Sequence, residues 1–468
     1  MGRFAGRFAR AEPRLRAGRL VLGLLADLPR KNCWTIAEWA GEKAPYGMQH
    51  LLCRASWDAD AVRDDVREYV VEHLHDEAAV LVVDETGDVK KGNRTVGVQR
   101  QYTGTAGRIE NSQIAVYLVY AGMRGHAAVD RELYVPRSWT CDPDRCRAAG
   151  LGENTVFATK PELARVMIER FLDAGHRVGW VTGDEVYGGN PKLRSALEER
   201  GLGYVLAVAC SAEVATKAGM FRADALAAKL PKHAWQKLWA GRGAKGHRFY
   251  DWAVIDLAEA APGHRQLLIR RNRTTGELAY YRCHSARPVP LSTLVRTAGS
   301  RWRVEETFQT EKGLAGLDEH QVRRYPSWIR WVTLAMLVHA FLAVVLADEH
   351  AHRPGPHDLI LSRPQVRERG RQAGAPVSVR LGHERCRVGS GTGPAAGAWM
   401  AGRSGRATGG LLPPAGDRRG ALPRRQRHQV AGYARRFPAL ATGVCLLRPL
   451  AGCGTRGRAA RPAAWCRP

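Results

Sequence analysis

Along residues 1–78 apolar side chains recur every three or four positions, as in "TIAEWAGE", "GMQHLLCRA" and "DADAVRDDVREYVVEHL". That period predicts helices, and the Ser and Asp of "SWDADA" supply helix-start signals. From residue 79 the period changes. "AVLVVDETG", "TVGVQRQYTG" and "SQIAVYLVYAG" are apolar or alternating runs parted by Gly-bearing turns, which predicts three strands in succession. "KPELARVMIERFLDAG" then reads as a helix closed by Gly175, and "VGWVTGDEVYG" as a strand ending in an acidic residue. "NPKLRSALEERG" reads as a helix and "GYVLAVAC" as a strand. This alternation implies a mixed α/β domain with a partly parallel sheet. Residues 211–290 instead alternate like antiparallel strands, with a tight turn at "NRTTGE", and predict a β-rich insertion. Helical spacing returns at 291 and runs through "SRWRVEETFQTEK" into "SWIRWVTLAMLVHAFLAVVLADEH", two helices expected to cover the sheet.

Five segments result: a helical unit (1–78), the first part of an α/β core (79–210), the insertion (211–290), the second part of the core (291–352) and a tail (353–468). Composition changes the picture most in the tail. It holds 22 Arg against 4 acidic residues and no Lys, and "GSGTGPAAGAWMAGRSGRATGG" carries no period. No core can be built from such a stretch, so a disordered low-complexity segment is expected. Two explanations stay open: a coding frame lost near "DLILSRPQVRERG", or a basic arm that binds DNA. The formal charge of +27 favours a polyanionic partner, nucleic acid before an anionic membrane.

The 10 cysteines lack paired spacing and fit free thiols in a reducing compartment. The basic start has only a short apolar run and no small-residue cleavage site, so it does not read as a secretory signal. The apolar run at 331–347, with His339 at its centre, reads as a buried core helix rather than a membrane span. The expected location is the cytoplasm.

Three acidic residues stand out by placement. Asp84 ends the strand "AAVLVVDETG", Asp184 ends "VGWVTGDEVYG", and Glu305 lies on the helix "SRWRVEETFQTEK". Carboxylates at the ends of neighbouring strands leave the same sheet edge, and a covering helix can add a third. Such a hard oxygen cage suits Mg²⁺. Two ions roughly 4 Å apart would orient the attacking water and stabilise the leaving oxygen of a phosphodiester displacement. On the helix, Arg301, Glu305 and Lys312 share a face while Glu306 turns about 100° away. Arg301 as a bidentate fork and Lys312 as a point charge would suit DNA phosphates.

"RWRVEETFQTEKGLAGLDEHQVR" resembles the signature of bacterial insertion-sequence transposases with a DDE triad, of the insertion-sequence-four-like branch. That signature reads Tyr, two residues, Arg, three residues, catalytic Glu, six residues, Lys. Arg301, Glu305 and Lys312 fit it, and Ala298 stands at the Tyr position. "LVVDETGDVKKGNRTVGVQRQYTGTAGRIENSQIAVYLVY" and "GDEVYGGNPKLRSALEERGLGYVLAV" resemble the regions of the first and second Asp, so the resemblance spans residues 30–345. It implies Asp84, Asp184 and Glu305 as catalytic metal ligands. It further implies two Mg²⁺, with Mn²⁺ substituting, and a ribonuclease H-like mixed sheet flanked by helices and interrupted by a β-rich insertion. The implied activity is cleavage at element ends followed by strand transfer into target DNA, by self-associated protein at the bacterial nucleoid. A metal-dependent nuclease without strand transfer, and a defunct remnant that only binds DNA, are the competing readings.

Weaker signals complete the list. Lys90, Lys91, Arg94, Arg100 and Arg108 cluster after the first Asp and suggest a phosphate-contacting edge. "GDVKKGN" lacks the Lys after its second Gly that a phosphate loop needs. Trp302 and Phe308 suit core packing better than stacking on an extruded base. Cys141 and Cys146 have no second pair to complete a zinc site. The helical unit at 1–78 is expected to bind the element's end DNA.

Overall fold

The computed structural model describes residues 2–243, 246–258 and 262–352. The expected tail at 353–468 lies outside the described residues. Four helices open the chain: α1 (Ala11–Leu25), α2 (Cys33–Trp39), α3 (Tyr46–Cys53) and α4 (Ala59–His73). Asp58 caps α4, its carboxylate accepting from Asp60 N and Ala61 N. Strands β1 (Val80–Val89), β2 (Gln99–Thr103), β3 (Arg108–Ala121) and β4 (His126–Leu133) follow. After short helices α5 (Arg137–Thr140) and α6 (Pro143–Ala148) come α7 (Lys160–Asp173), β5 (Trp180–Gly183), α8 (Glu185–Gly188), α9 (Pro191–Glu199) and β6 (Gly203–Val208). A hairpin β7 (Glu213–Thr216) and β8 (Gly219–Arg222) and helix α10 (Ala223–Ala228) lead to β9 (Gln236–Gly243), β10 (Gly246–Asp256), β11 (His264–Arg271) and β12 (Leu278–Ser285). The described chain ends with α11 (Leu291–Ser300), α12 (Trp302–Ala315) and α13 (Tyr325–His352).

One 10-stranded sheet runs β2-β3-β1-β5-β6-β12-β11-β10-β9, with β4 paired to β3. Strands β1, β5 and β6 are parallel neighbours and the other pairings are antiparallel, so the mixed α/β class holds. Helices α11, α12 and α13 cover one face, while α7, α8 and α9 cover the other. Helix α13 contains the long apolar run and is buried along most of its length against α4, α12 and β4. It is long and apolar enough to cross a membrane by length and composition alone. The cysteines among the described residues are unpaired.

Two sequence expectations change in detail. β1 does not stop at Asp84: it pairs with β3 as far as Val89, because "ETGDV" continues the ladder onto "SQIAV". Three helices rather than two follow residue 291, because α11 and α12 are separate and joined at Arg301. There Gly299 lies so close to Ala240 of β9 that an added Cβ would sit 1.9 Å from its carbonyl oxygen. β4 escaped the hydrophobic pattern because Asp130 and Arg131 occupy its middle. Both are buried, Asp130 accepting from Arg63 and Arg170 and Arg131 donating to Asp60 and Thr333.

A buried acid on α12 faces a buried imidazole on α13: Glu311 Oε1 lies 3.4 Å from His339 Nδ1, and none of the Glu311 oxygens has a hydrogen-bond partner. Burial pushes Glu311 up to about 8 and His339 down to about 4, so both are neutral near pH 6. A carboxyl whose folded pKa is raised favours the protonated fold, and this contribution is lost as pH rises from its unfolded value towards 8. Glu311→Gln is therefore expected to leave the melting temperature little changed at pH 4, to raise it at pH 6 and to raise it most at pH 9, as read by thermal unfolding across pH. A second outcome concerns α8, where a Cβ on Gly188 would meet the carbonyl oxygen of Ala207 at 1.9 Å. Gly188→Ala should destabilise the fold by about 1–3 kcal/mol in urea unfolding, since backbone cannot yield as a side chain can.

Candidate functional site

Period-two alternation along β1 places Asp84, Thr86 and Asp88 on the face covered by α12, and Glu85 on the face covered by α7 and α8. Helix α12 runs beside β1 in the same direction. At its start, Arg301 Nη2 is 3.8 Å from Asp84 Oδ2 and Arg301 Nη1 is 3.6 Å from Glu305 Oε1. Near its end, Lys312 Nζ is 3.6 Å from Asp88 Oδ1 and donates to Gly87 O and Thr105 Oγ1. Asp184 follows β5, which lies parallel to β1 with Gly183 opposite Val83. It caps α8, its Oδ1 accepting from Val186 N at 2.9 Å. Asp84 likewise accepts from Glu85 N through Oδ1 at 2.8 Å. The two aspartates thus emerge at one sheet edge, and Arg301 links the first of them to Glu305.

The electrostatics are those of an acidic site short of positive charge. Burial pushes Asp84 up to about 7, opposed by Arg301 and reinforced by Asp184 and Glu85. Asp184 is raised by burial and by Glu85, and Glu305 is raised by burial against the pull of Arg301 and Arg248. Among the described residues, no three His, Cys, Asp or Glu side chains converge closely enough to enclose an ion by themselves. The donors are nonetheless hard carboxylate oxygens whose ionised forms want a cation, the chemistry of a divalent metal site. Arg301 is the cation they share.

The remaining expected residues separate clearly. Glu306, adjacent to Glu305, is engaged elsewhere, 3.6 Å from His126 Nε2 and 3.4 Å from Arg303 Nη1. Lys91, Arg94 and Arg100 are exposed. Lys90 turns inward, 3.8 Å from Asp88 Oδ2, because Asp88 and the carbonyl of His320 offer it acceptors. Trp302 lies under Arg248, with the guanidinium 4.5 Å from the ring centre, and Phe308 packs edge-on against Tyr117. Sequence reasoning passed over Asp88, held well below the usual carboxylate range by His320, Lys312 and Lys90 despite its burial. Its position four residues beyond Asp84 on one strand face was the available signal.

Residues 3–233 match the family model described as DDE superfamily endonuclease, and residues 158–341 match the one described as Transposase DDE domain. A relative from Microchaete diplosiphon, named as a probable transposase for insertion sequence element IS701, is 33% identical over 192 residues. That alignment covers 40% of this chain, and the chain spans about half, 47%, of the relative's length. The sheet and its flanking helices are consistent with a ribonuclease H-like DDE fold. Across residues 3–341 the chain is thus similar to DDE superfamily endonucleases and to transposase DDE domains, and over 192 residues to a probable transposase.

Proposed function

We propose that the chain is a DDE transposase that cuts DNA at the ends of an insertion sequence and joins those ends to target DNA, in the insertion-sequence-four-like branch. The observation that carries this reading is the meeting of Asp84 and Asp184 on parallel neighbour strands with an Arg301 that also holds Glu305. Asp84, Asp184 and Glu305 would hold two Mg²⁺, or Mn²⁺ in its place. Bound there, the metal supplies an activated water and charge neutralisation at the phosphodiester. The protein's own part is to present three carboxyls along one edge of a rigid sheet, where burial leaves them short of positive charge.

Arg301 presents a bidentate fork at that edge, suited to a DNA phosphate once the carboxylates have another counter-charge. Lys312, anchored on β1, adds a fixed positive charge one helix face along. The exposed Lys91, Arg94 and Arg100 line the loop and strand that would follow the DNA backbone. Lys90, committed to Asp88, serves the site by holding β1 rather than by reaching DNA. Ala298, at the Tyr position of the signature, is buried against the insertion strands, so that contact is absent here. Helices α1–α4 would bind end DNA, and self-association would pair two ends, in the bacterial cytoplasm at the nucleoid.

Asp84→Ala, Asp184→Ala and Glu305→Ala should each lower Mg²⁺-dependent cutting of end-bearing DNA by about a thousandfold, roughly 4 kcal/mol of transition-state stabilisation. Gel-shift binding of the same DNA should be retained. Glu306→Ala should cut within about tenfold of the parent. Supplying pre-cleaved ends and target DNA should yield joined product. Cutting without joining would instead identify a nuclease, and binding without cutting a remnant.

A further inference from the structure

The described molecule holds a second acidic side chain at this edge that the triad does not use. Glu85 faces away from Asp84, into the layer of α7 and α8. Its Oε1 accepts from Lys160 Nζ at 2.6 Å and its Oε2 from Tyr187 Oη at 2.7 Å. With both oxygens engaged, this carboxylate is not placed to ligate anything itself. Its partners are informative. Tyr187 is fully buried and lies three residues after Asp184, on a helix of a single turn. One turn has almost no helical stability of its own, so α8 sits where its side-chain anchors put it. Those anchors are the packed Tyr187 ring, the close approach of Gly188 to β6, and the phenol hydrogen bond to Glu85. Gly183 makes the approach possible, since a Cβ there would meet Val83 at 2.8 Å and Tyr187 at 3.3 Å. Lys160 opens α7, behind a capping box of Thr159 and Glu162 that fixes the start of that helix.

We propose that Glu85 and Tyr187 are positioning residues that set the separation of Asp84 and Asp184 for divalent-metal binding, with Lys160 holding Glu85 in place. The bond runs from the residue beside the first aspartate to the turn carrying the second, and so ties the two strand ends together behind the site. This rests on the reading of Asp84 and Asp184 as metal ligands.

The test uses the full chain without DNA and measures Mn²⁺ binding by electron paramagnetic resonance of the free ion, alongside thermal unfolding without metal. Asp84→Asn serves as the control. Tyr187→Phe, which removes one oxygen from a ring that stays packed, should weaken Mn²⁺ binding about tenfold while the metal-free melting temperature moves by a few degrees at most. Glu85→Gln should weaken it similarly. Glu85→Gln combined with Lys160→Met keeps an amide oxygen for the phenol without a half-buried unpaired ammonium, and should restore most of the affinity.

Tyr187→Phe binding Mn²⁺ as tightly as the parent, while Asp84→Asn does not bind, would overturn this inference and leave the metal site standing. Failure of the double variant to recover would also overturn it, pointing to the charge of Glu85 rather than its geometry. Absence of Mn²⁺ binding in the parent, or undiminished binding by Asp84→Asn, would overturn the site reading and this inference with it.

Discussion

The site depends on one register: helix α12 laid along strand β1 and held at two levels by cation–carboxylate pairs. Asp84 and Asp88 are about 13 Å apart along a strand, and Arg301 and Lys312 about 16 Å apart along a helix. The two spans are close enough for Arg301 to meet Asp84 while Lys312 meets Asp88. Glu305, one turn past Arg301, is thereby held over the sheet edge. Slipping α12 by a turn would carry it about 5 Å away. Neither pair would mean much on an open surface, where such contacts are worth at most about 1 kcal/mol. Here Asp88 is largely enclosed, and Lys312 also bonds the backbone of Gly87, so the lower pair works as a fixed peg.

The far end of the same helix is fastened by a different device. Lys31, between α1 and α2, is buried and its ammonium donates to the carbonyls of Leu24 and Leu314, at the ends of α1 and α12. Burial lowers it to about 8, with Glu319 opposing. Gly316 ends α12 in the left-handed region, φ 65°, and bends the chain beneath that lysine. Cations near helix C-termini are favoured by the unpaired carbonyls there. The consequence is mechanical: the opening helices are joined to the helix bearing Glu305 through one buried ammonium.

Much of the fold was legible because its strands are apolar on both faces. β1, β3, β5 and β6 lie in the interior of a sheet covered on two sides, and such strands read as continuous Val, Ile and Leu. β4 was not legible, because Asp130 and Arg131 sit where apolar residues belong and are satisfied only by partners far away in sequence. The break at Arg301 was equally hidden, since nothing in "TAGSRWRVEE" forbids a continuous helix. It is the contact of Gly299 with Ala240 that turns the chain. Asp84 and Asp184 were visible as acids at the end of apolar runs. The inward turn of Lys90 was not, because a cation in a basic cluster looks solvated until a half-buried carboxylate claims it.

Adjacent glutamates on α12 illustrate how a site selects between chemically equal groups. Glu306 has two guanidiniums that offset its charge, Arg303 and Arg248, with His126, kept neutral by burial, beside it. Glu305 shares Arg301 with Asp84, so one guanidinium serves two carboxylates and satisfies neither at hydrogen-bond distance. Burial holds both carboxyls above their ordinary range, and a guanidinium shared at these distances only partly opposes it. A group left in that state gains from any additional positive charge more than one already paired. The shortage, rather than the number of acids, marks this end of the sheet as a place for cations, and it exists only because α12 delivers one arginine to a pair of carboxylates.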